Sequence, residues 1–158
     1  MSTLVPGLTG LALLLAVLVL LARTVVRVTV RGMSMEPAYR EGDQVLVRRG
    51  RTLEQGQVVV LEQPSGTGWR LPPLRQGAGA AAIATRSWLI KRVIAVAGDP
   101  VPRDQVPLLA TFPETRVPPG KIVLLGDNQA VSLDSRRLGY FPTDRVLGVV
   151  ARDLPRRG

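Results

Sequence analysis

Apolar positions of the chain form one long N-terminal run followed by many short ones. Leu4 to Ala22 are almost all apolar, with Thr9 as the only polar side chain. A helix of that length spans roughly 28 Å, close to the hydrocarbon thickness of a bilayer. A cleavable secretory signal would need a basic start and a small-residue cleavage site, but Met1 to Thr3 carry no charged side chain and Arg23 follows the run. The pattern favours a retained transmembrane anchor over residues 4–22.

The rest of the chain predicts one β-rich domain over residues 25–152. Val26, Val28 and Val30 alternate with polar residues, which indicates a half-buried strand. Further strands are predicted at Gln44–Arg48, Gln57–Leu61, Ser87–Ala97, Lys121–Leu125 and Val146–Ala151. The 16 Gly and 13 Pro lie mostly beyond the first 25 residues and punctuate these runs, as is typical of a fold with many turns. The Gly-, Pro- and Ala-rich segment 64–86 lacks periodicity and predicts an irregular loop.

Missing residue types restrict the chemistry. The 158-residue chain has no Cys and no His. It cannot supply a Ser-His-Asp triad, a Cys nucleophile or a His/Cys zinc site, and we predict neither a metal nor a cofactor. Catalysis would have to use Ser, Thr, Lys, Tyr, Asp or Glu.

The positive charge is distributed rather than clustered. The net charge is +9, but the arginines are scattered and aromatic residues make up only 4% of the chain. This favours contact with anionic lipid over nucleic acid, which we do not expect as a partner. Among 21 basic residues only Lys91 and Lys121 are Lys, and a buried Lys can lose its proton whereas Arg cannot.

Lys91 lies in the middle of the predicted strand Ser87–Ala97, on an apolar face beside Leu89 and Val93. Burial can lower the pKa of a Lys from about 10.4 to about 5–6, which yields a neutral amine able to act as a general base. A Lys whose side chain extends along the surface to water would fit the strand equally well.

Ser34 is the best candidate for a nucleophile that such a base could activate. It lies between Gly32, which permits unusual dihedrals and close substrate approach, and Pro37, which stiffens the turn. Backbone N–H groups of such a turn could form an oxyanion hole. An ordinary turn serine would show the same pattern.

A third polar segment runs from Gly126 to Arg136. Asp134 and Arg136 could form an ion pair that braces the loop. Taken alone, this segment indicates a well-tied polar turn.

The order and the residues of these segments resemble those of the type I signal peptidase (leader peptidase) family, which are membrane-anchored serine-lysine proteases. Four family boxes are recognisable in order, and the resemblance spans about residues 4 to 150. The boxes are Ser34–Pro37, Gly42–Val47, Lys91–Asp99 and Gly126–Gly139.

The resemblance implies a role for each matching residue. Ser34 would be the nucleophile, Lys91 the general base, and Ser132 the hydroxyl that hydrogen-bonds and orients the lysine. Asp134 and Arg136 would be a supporting pair. The oxyanion and substrate site would involve Gly32, Met33, Met35 and Pro37.

Three positions depart from the family pattern. Gly32 stands where some members add a Ser hydroxyl to the oxyanion hole, so this chain would rely more on backbone donors. Ala38 replaces the usual Thr, and Ala97 replaces a common Pro; neither carries chemistry.

The function implied is removal of signal peptides from exported precursors by a mainly β, antiparallel domain at the extracytoplasmic face of the plasma membrane. Three arginines after the apolar run, Arg23, Arg27 and Arg31, argue for a cytoplasmic domain instead. A specialised maturation protease for one precursor and a non-catalytic membrane-tethered binding module stay open as alternatives. A repressor-type self-cleaving peptidase shares the Ser-Lys chemistry but would carry a DNA-binding domain in place of the apolar run.

Overall fold

A seven-stranded sheet forms the centre of the protein, as seen in a computed structural model that describes residues 9–16, 24–66, 68–75 and 77–153. The strand order is β1-β2-β7-β3-β4-β5-β6, and each neighbouring pair is antiparallel. The strands are β1 Val25–Thr29, β2 Gln44–Arg48, β3 Val58–Glu62, β4 Trp88–Ala95, β5 Lys121–Leu125, β6 Phe141–Pro142 and β7 Val146–Asp153. The prediction of a mainly β, antiparallel domain is confirmed.

Short apolar runs between turn residues located most strands well. β2 and β5 have the predicted bounds, and β1, β3, β4 and β7 differ from the prediction by one or two residues at an end. The two-residue strand β6 was not predicted, since it is too short to show alternation.

Helical structure is confined to short segments. After β1, the described helices are α1 Ala80–Ala84 and α2 Ser135–Leu138, with 3-10 turns at Pro107–Thr111, Gln129–Val131 and Thr143–Arg145. Helix α1 lies inside the segment 64–86, so that segment is not irregular throughout its described part. The run Ala80-Ala81-Ala82 combines small side chains with high helix propensity, which explains a helical turn at this place.

The core consists mainly of Val, Leu and Ile because the central strands are covered on both faces. All five positions of β3 are buried, and β3 lies between β7 and β4. One buried cluster contains Met35, Val45 and Val47, which join the turn after β1 to β2. This packing places the turn that carries Ser34 against the sheet.

The predicted anchor over 4–22 lies largely outside the described residues. Residues 9–16 are helical and their side chains are exposed. Within the described ranges, no helix has both the length and the apolar character needed to cross a membrane.

Candidate active site

Ser34 lies in a turn that directly follows β1. The turn begins at Gly32, whose positive φ of 76° suits glycine, and it is closed by a hydrogen bond of 3.2 Å from the Glu36 N–H to the Met33 carbonyl. Met35 is 0% exposed and fixes the turn to the core, while Ser34 itself is half-buried. The serine therefore has a defined backbone position and a partly accessible side chain.

Lys91 projects from the central strand β4, where it pairs with Val59 of β3. Its side chain is only 1% exposed. The Nζ atom lies 2.6 Å from Ser34 Oγ and 3.0 Å from the Ile90 carbonyl oxygen. Strand β4 thus carries an amine from the sheet interior to the serine hydroxyl.

Burial lowers the pKa of Lys91 from 10.5 to about 8. Desolvation is the main cause, because the sheet interior disfavours the ammonium form. The charges of Asp134 and Asp127 oppose this effect, and the charge of Arg136 adds to it. At pH 7.5 a pKa of about 8 leaves roughly a quarter of the amine neutral, against about a thousandth for an ordinary lysine.

Asp134 and Asp127, whose charges raise the pKa of Lys91, are each paired with an arginine. Arg136 Nη2 lies 2.6 Å from Asp134 Oδ2, and Arg92 Nη2 lies 2.7 Å from Asp127 Oδ2. Pairing offsets much of the negative charge that Lys91 would otherwise experience. Neither carboxylate is bonded directly to Lys91, so desolvation prevails.

Asp134 ties the loop after β5 to helix α2. Its side chain is 0% exposed and accepts hydrogen bonds from the N–H groups of Gly126 at 2.9 Å and Arg136 at 3.1 Å. Burial alone would raise the pKa of Asp134, but these bonds and the Arg136 guanidinium outweigh burial and lower it. The expected ion pair between Asp134 and Arg136 is present.

The same loop is also hydrogen-bonded to the backbone of Ser34. The Asn128 N–H donates to the Ser34 carbonyl oxygen at 3.0 Å. At Gly126 there is no space for a side chain: a Cβ would overlap Ser132 Oγ and would lie 2.6 Å from the Ser34 carbonyl oxygen. Only glycine allows the two segments to come this close.

Ser132 is buried against this contact, with 3% of its surface exposed. Its hydroxyl is near enough to lower the pKa of Asp134. Among the described residues, however, Ser132 Oγ has no partner at hydrogen-bond geometry. Its effect on Asp134 is therefore an electrostatic contact. The hydrogen bond expected from Ser132 to Lys91 is not formed.

The remaining predicted site residues surround Ser34 with different exposure. Gly32, Met33 and Pro37 are exposed beside it. Met35 is fully buried in the core, so its side chain faces away from solvent. In its covered position Met35 supports the turn.

A groove of about 630 Å³ runs along the outer side of β1 and reaches Gly32, two positions before Ser34. Its walls are β1, helix α1 and the beginning of β4, including Ile83, Trp88 and Leu89. Strand β1 is at the edge of the sheet, so one side of its backbone has no partner among the described strands. Across the described ranges, no group of three or more metal-binding side chains is assembled.

Sequence reasoning missed two contacts of the site. It did not pair Arg92 with Asp127, and it did not place Asn128 against Ser34. An arginine next to the buried lysine was a signal for a nearby carboxylate, since an unpaired cation is rarely buried. Asn128 makes its contact through the backbone N–H, a group that almost every residue type has, so the residue type could not indicate the contact.

Comparison with known proteins assigns the chain to a family. The chain matches the family described as "Signal peptidase, peptidase S26" over residues 5–111 and 103–152. The chain belongs to this signal peptidase family.

Two relatives illustrate the similarity. The chain is 30% identical over 155 residues to "Probable signal peptidase I-1" of Synechocystis sp., with 82% of this chain and 76% of that protein covered. It is 27% identical over 161 residues to "Signal peptidase IB" of Staphylococcus aureus, with 78% of this chain and 74% of that protein covered.

Proposed function

We propose that this chain is a membrane-bound serine endopeptidase that removes signal or leader peptides from exported precursor proteins. The observation that carries the proposal is the 2.6 Å separation between Lys91 Nζ and Ser34 Oγ, with the lysine 1% exposed. Family membership and two relatives named as signal peptidases support the substrate class.

In the acylation step the neutral Lys91 amine accepts the Ser34 hydroxyl proton. Ser34 Oγ attacks the scissile carbonyl carbon, and the tetrahedral intermediate collapses to an acyl-enzyme. The Lys91 ammonium donates its proton to the leaving amine of the mature protein.

In the deacylation step the neutral amine of Lys91 takes a proton from water. The hydroxide attacks the acyl carbonyl, the bond to Ser34 Oγ breaks, and the proton returns to that oxygen. One group serves as base and acid in both steps, which suits a pKa of about 8 near neutral pH.

A backbone donor is available for the developing oxyanion. Among the described residues, no acceptor bonds the Ser34 N–H, so this group can donate to the substrate. Gly32 offers no side-chain donor, so stabilisation depends on the backbone of a turn that Met35 fixes to the core.

The groove beside β1 suits an extended peptide. Because β1 is an edge strand, a substrate can add to it by main-chain hydrogen bonds. Such a peptide would follow the groove past Gly32 towards Ser34.

The resemblance to signal peptidases also implies cleavage after small residues in an Ala-x-Ala pattern, and a second cavity supports this preference. Val28, Trp88 and Leu89 are among the residues that line a space of about 10 Å³ next to the groove. That is room for about one water molecule, so a large side chain could not enter it.

Membrane attachment by the N-terminal run is part of the proposal. Leu11, Leu13, Leu14 and Leu15 are each more than half exposed on the helical residues 9–16, an apolar surface that lipid would cover.

An extracytoplasmic domain is compatible with the arginines after the run. Arg27 lies in β1 and pairs with Leu46 of β2, so it belongs to the folded domain rather than to a short flanking loop. The positive-inside bias is counted over short loops, and long segments that form domains are translocated largely regardless of charge.

Two variants test the mechanism. Lys91→Arg keeps a positive charge but removes the titratable base, and Ser34→Ala removes the nucleophile. We expect both to abolish cleavage of a precursor with an Ala-x-Ala site in a membrane reconstitution. We also expect mass spectrometry to find no acyl adduct on either protein.

Lys121→Arg is the matched control, since Lys121 is the only other lysine of the chain. It should retain wild-type turnover. Turnover by a folded Lys91→Arg protein at the control rate would contradict the proposed mechanism.

A further inference from the structure

Two arginines share one buried carboxylate at the end of β3. Glu62 is 6% exposed, and its Oε2 atom lies 2.6 Å from Arg86 Nη1 and 3.0 Å from Arg145 Nη1. Arg145 also approaches Asp144 at 3.9 Å, but that carboxylate is 60% exposed and its charge is screened by water. The cluster therefore has an excess of positive charge, and the proposed peptidase mechanism does not use it.

One donor in this cluster has no acceptor. The Arg86 side chain is 8% exposed, with Nη1 bonded to Glu62 and Nη2 bonded to the Pro72 carbonyl at 2.8 Å. Among the described residues, its buried Nε atom has no hydrogen-bond partner. A buried donor without an acceptor is costly, so an acceptor supplied from outside the chain would be favourable here.

A cavity of about 370 Å³ adjoins Arg86. A second guanidinium, that of Arg70, lines it as well. Hydroxyl-bearing residues complete the polar lining: Ser65, Thr85 and Ser87. Glu62 is the one carboxylate residue among the lining, and both of its arginine contacts are already made.

We propose that this cavity binds a phosphate-type oxyanion, held by Arg70 and Arg86. Two guanidinium groups with several hydroxyls match the multiple acceptor oxygens of phosphate, and the anion would offset the excess positive charge. The anion is free inorganic phosphate or the phosphate of a lipid headgroup, since both present the same oxygens.

Arg70→Gln is the informative variant. Arg70 is exposed and pairs with no carboxylate in the described structure, so its replacement should leave the fold intact. Arg75→Gln is the matched control, because Arg75 is exposed in the same segment but does not line the cavity. Arg86 itself is avoided, since its loss would leave Glu62 underpaired.

The first measurement is calorimetric titration of inorganic phosphate into the full chain in phosphatidylcholine nanodiscs, at constant ionic strength maintained with chloride. We expect saturable binding by the wild type and by Arg75→Gln. Binding by Arg70→Gln should be about ten-fold weaker, as for loss of one charge-assisted hydrogen bond.

The second measurement identifies the source of the anion. Hydrogen exchange of residues 68–72 and 85–88 is compared between phosphatidylcholine and phosphatidylglycerol nanodiscs without added phosphate. Protection in phosphatidylglycerol that Arg70→Gln loses would assign the site to lipid headgroups, whereas titratable binding of phosphate alone would assign it to the free anion.

Two results would overturn the proposal. One is the absence of both saturable phosphate binding and phosphatidylglycerol-dependent protection. The other is an equal response of Arg70→Gln and Arg75→Gln, which would indicate charge screening without a site. Neither readout uses peptidase activity, so failure of this proposal is distinguishable from failure of the proposed function.

Discussion

The Asn128 N–H donates a hydrogen bond of 3.0 Å to the Ser34 carbonyl oxygen, which joins the loop after β5 to the turn after β1. These segments are far apart in the sequence, and Lys91 reaches the same turn from β4. The position of the Ser34 hydroxyl therefore depends on three separate parts of the sheet.

Gly126→Ala should disrupt this junction. A Cβ would overlap Ser132 Oγ and lie 2.6 Å from the Ser34 carbonyl oxygen, so one of the two segments must move. We expect a loss of roughly 1–3 kcal/mol in the free energy of unfolding and a large loss of peptidase activity. Denaturant unfolding and precursor cleavage measure the two effects.

Gly68→Ala is the control for this substitution. Gly68 has open space around its Cβ position and no positive φ that would require glycine. It should remain close to the wild type in both assays, and an equal loss in the two variants would contradict the argument from close approach.

Arg136→Gln should raise the pKa of Lys91. The Arg136 charge lowers this pKa and the Asp134 charge raises it, so removing the arginine leaves the carboxylate less compensated. The wild-type kcat/KM should increase with pH through about 8, as the amine loses its proton. In the variant, this increase of kcat/KM should occur at higher pH.

Arg137→Gln separates this specific effect from a general change of charge. Arg137 is the exposed neighbour of Arg136 on the same short helix. Its replacement should not change the pH at which kcat/KM increases. An identical shift of that pH in both variants would argue against the pairing of Asp134 as the cause.

Lys91→Met should stabilise the protein near pH 7. The folded state lowers the pKa of Lys91 from 10.5 to about 8, so between these values it binds fewer protons than the unfolded state. The free energy of unfolding therefore rises with pH across this window, and the full cost of the buried ammonium is present below about pH 8. Removing the amine should gain on the order of 1–3 kcal/mol at pH 7.

The measurement is chemical denaturation of the wild type and Lys91→Met from pH 7 to 10. The variant should lose the rise in stability that Lys91 contributes, and Lys121→Met should retain it. A variant that is less stable than the wild type at pH 7 would show that the amine is not buried at a cost.

Ser132→Ala and Ser135→Ala should affect different properties. Ser135 Oγ accepts the buried Leu124 N–H at 2.9 Å, so its loss should cost about 1–3 kcal/mol in the free energy of unfolding. Ser132 Oγ makes no hydrogen bond within the described residues, so Ser132→Ala should cost less stability. For precursor cleavage we expect the opposite order, because Ser132 lies against the junction with Ser34.

Measuring the free energy of unfolding and kcat on the same preparations of both variants tests whether the two orders are opposite. A larger loss of turnover in Ser135→Ala than in Ser132→Ala, with both proteins folded, would remove Ser132 from the proposed site.

The sheet was predictable from sequence where short apolar runs lie between turn residues, as in β2 and β5. Strand β6 was not, since its two residues depend on pairing with β5 for their conformation. Helix α1 was missed because an Ala-rich stretch that follows several Gly and Pro residues carries little hydrophobic periodicity.

The sequence named Ser34 and Lys91, which the structure brings together, but not the electrostatics around them. The strand pattern left open whether Lys91 was buried, and the turn around Ser34 also fitted an ordinary serine; the resemblance to a family was what favoured pairing the two. The pairing of Asp127 with Arg92 joins positions 35 residues apart, which no local pattern encodes.

The central claim is that the Lys91 amine is uncharged for a substantial fraction of the time near neutral pH. Because the chain has only two lysines, a protein labelled with 13C at lysine Cε gives two side-chain NMR signals, and Lys121→Arg assigns them. The account predicts that the Lys91 signal titrates at about 8. Titration of Lys91 near 10.5, the ordinary value, would contradict it.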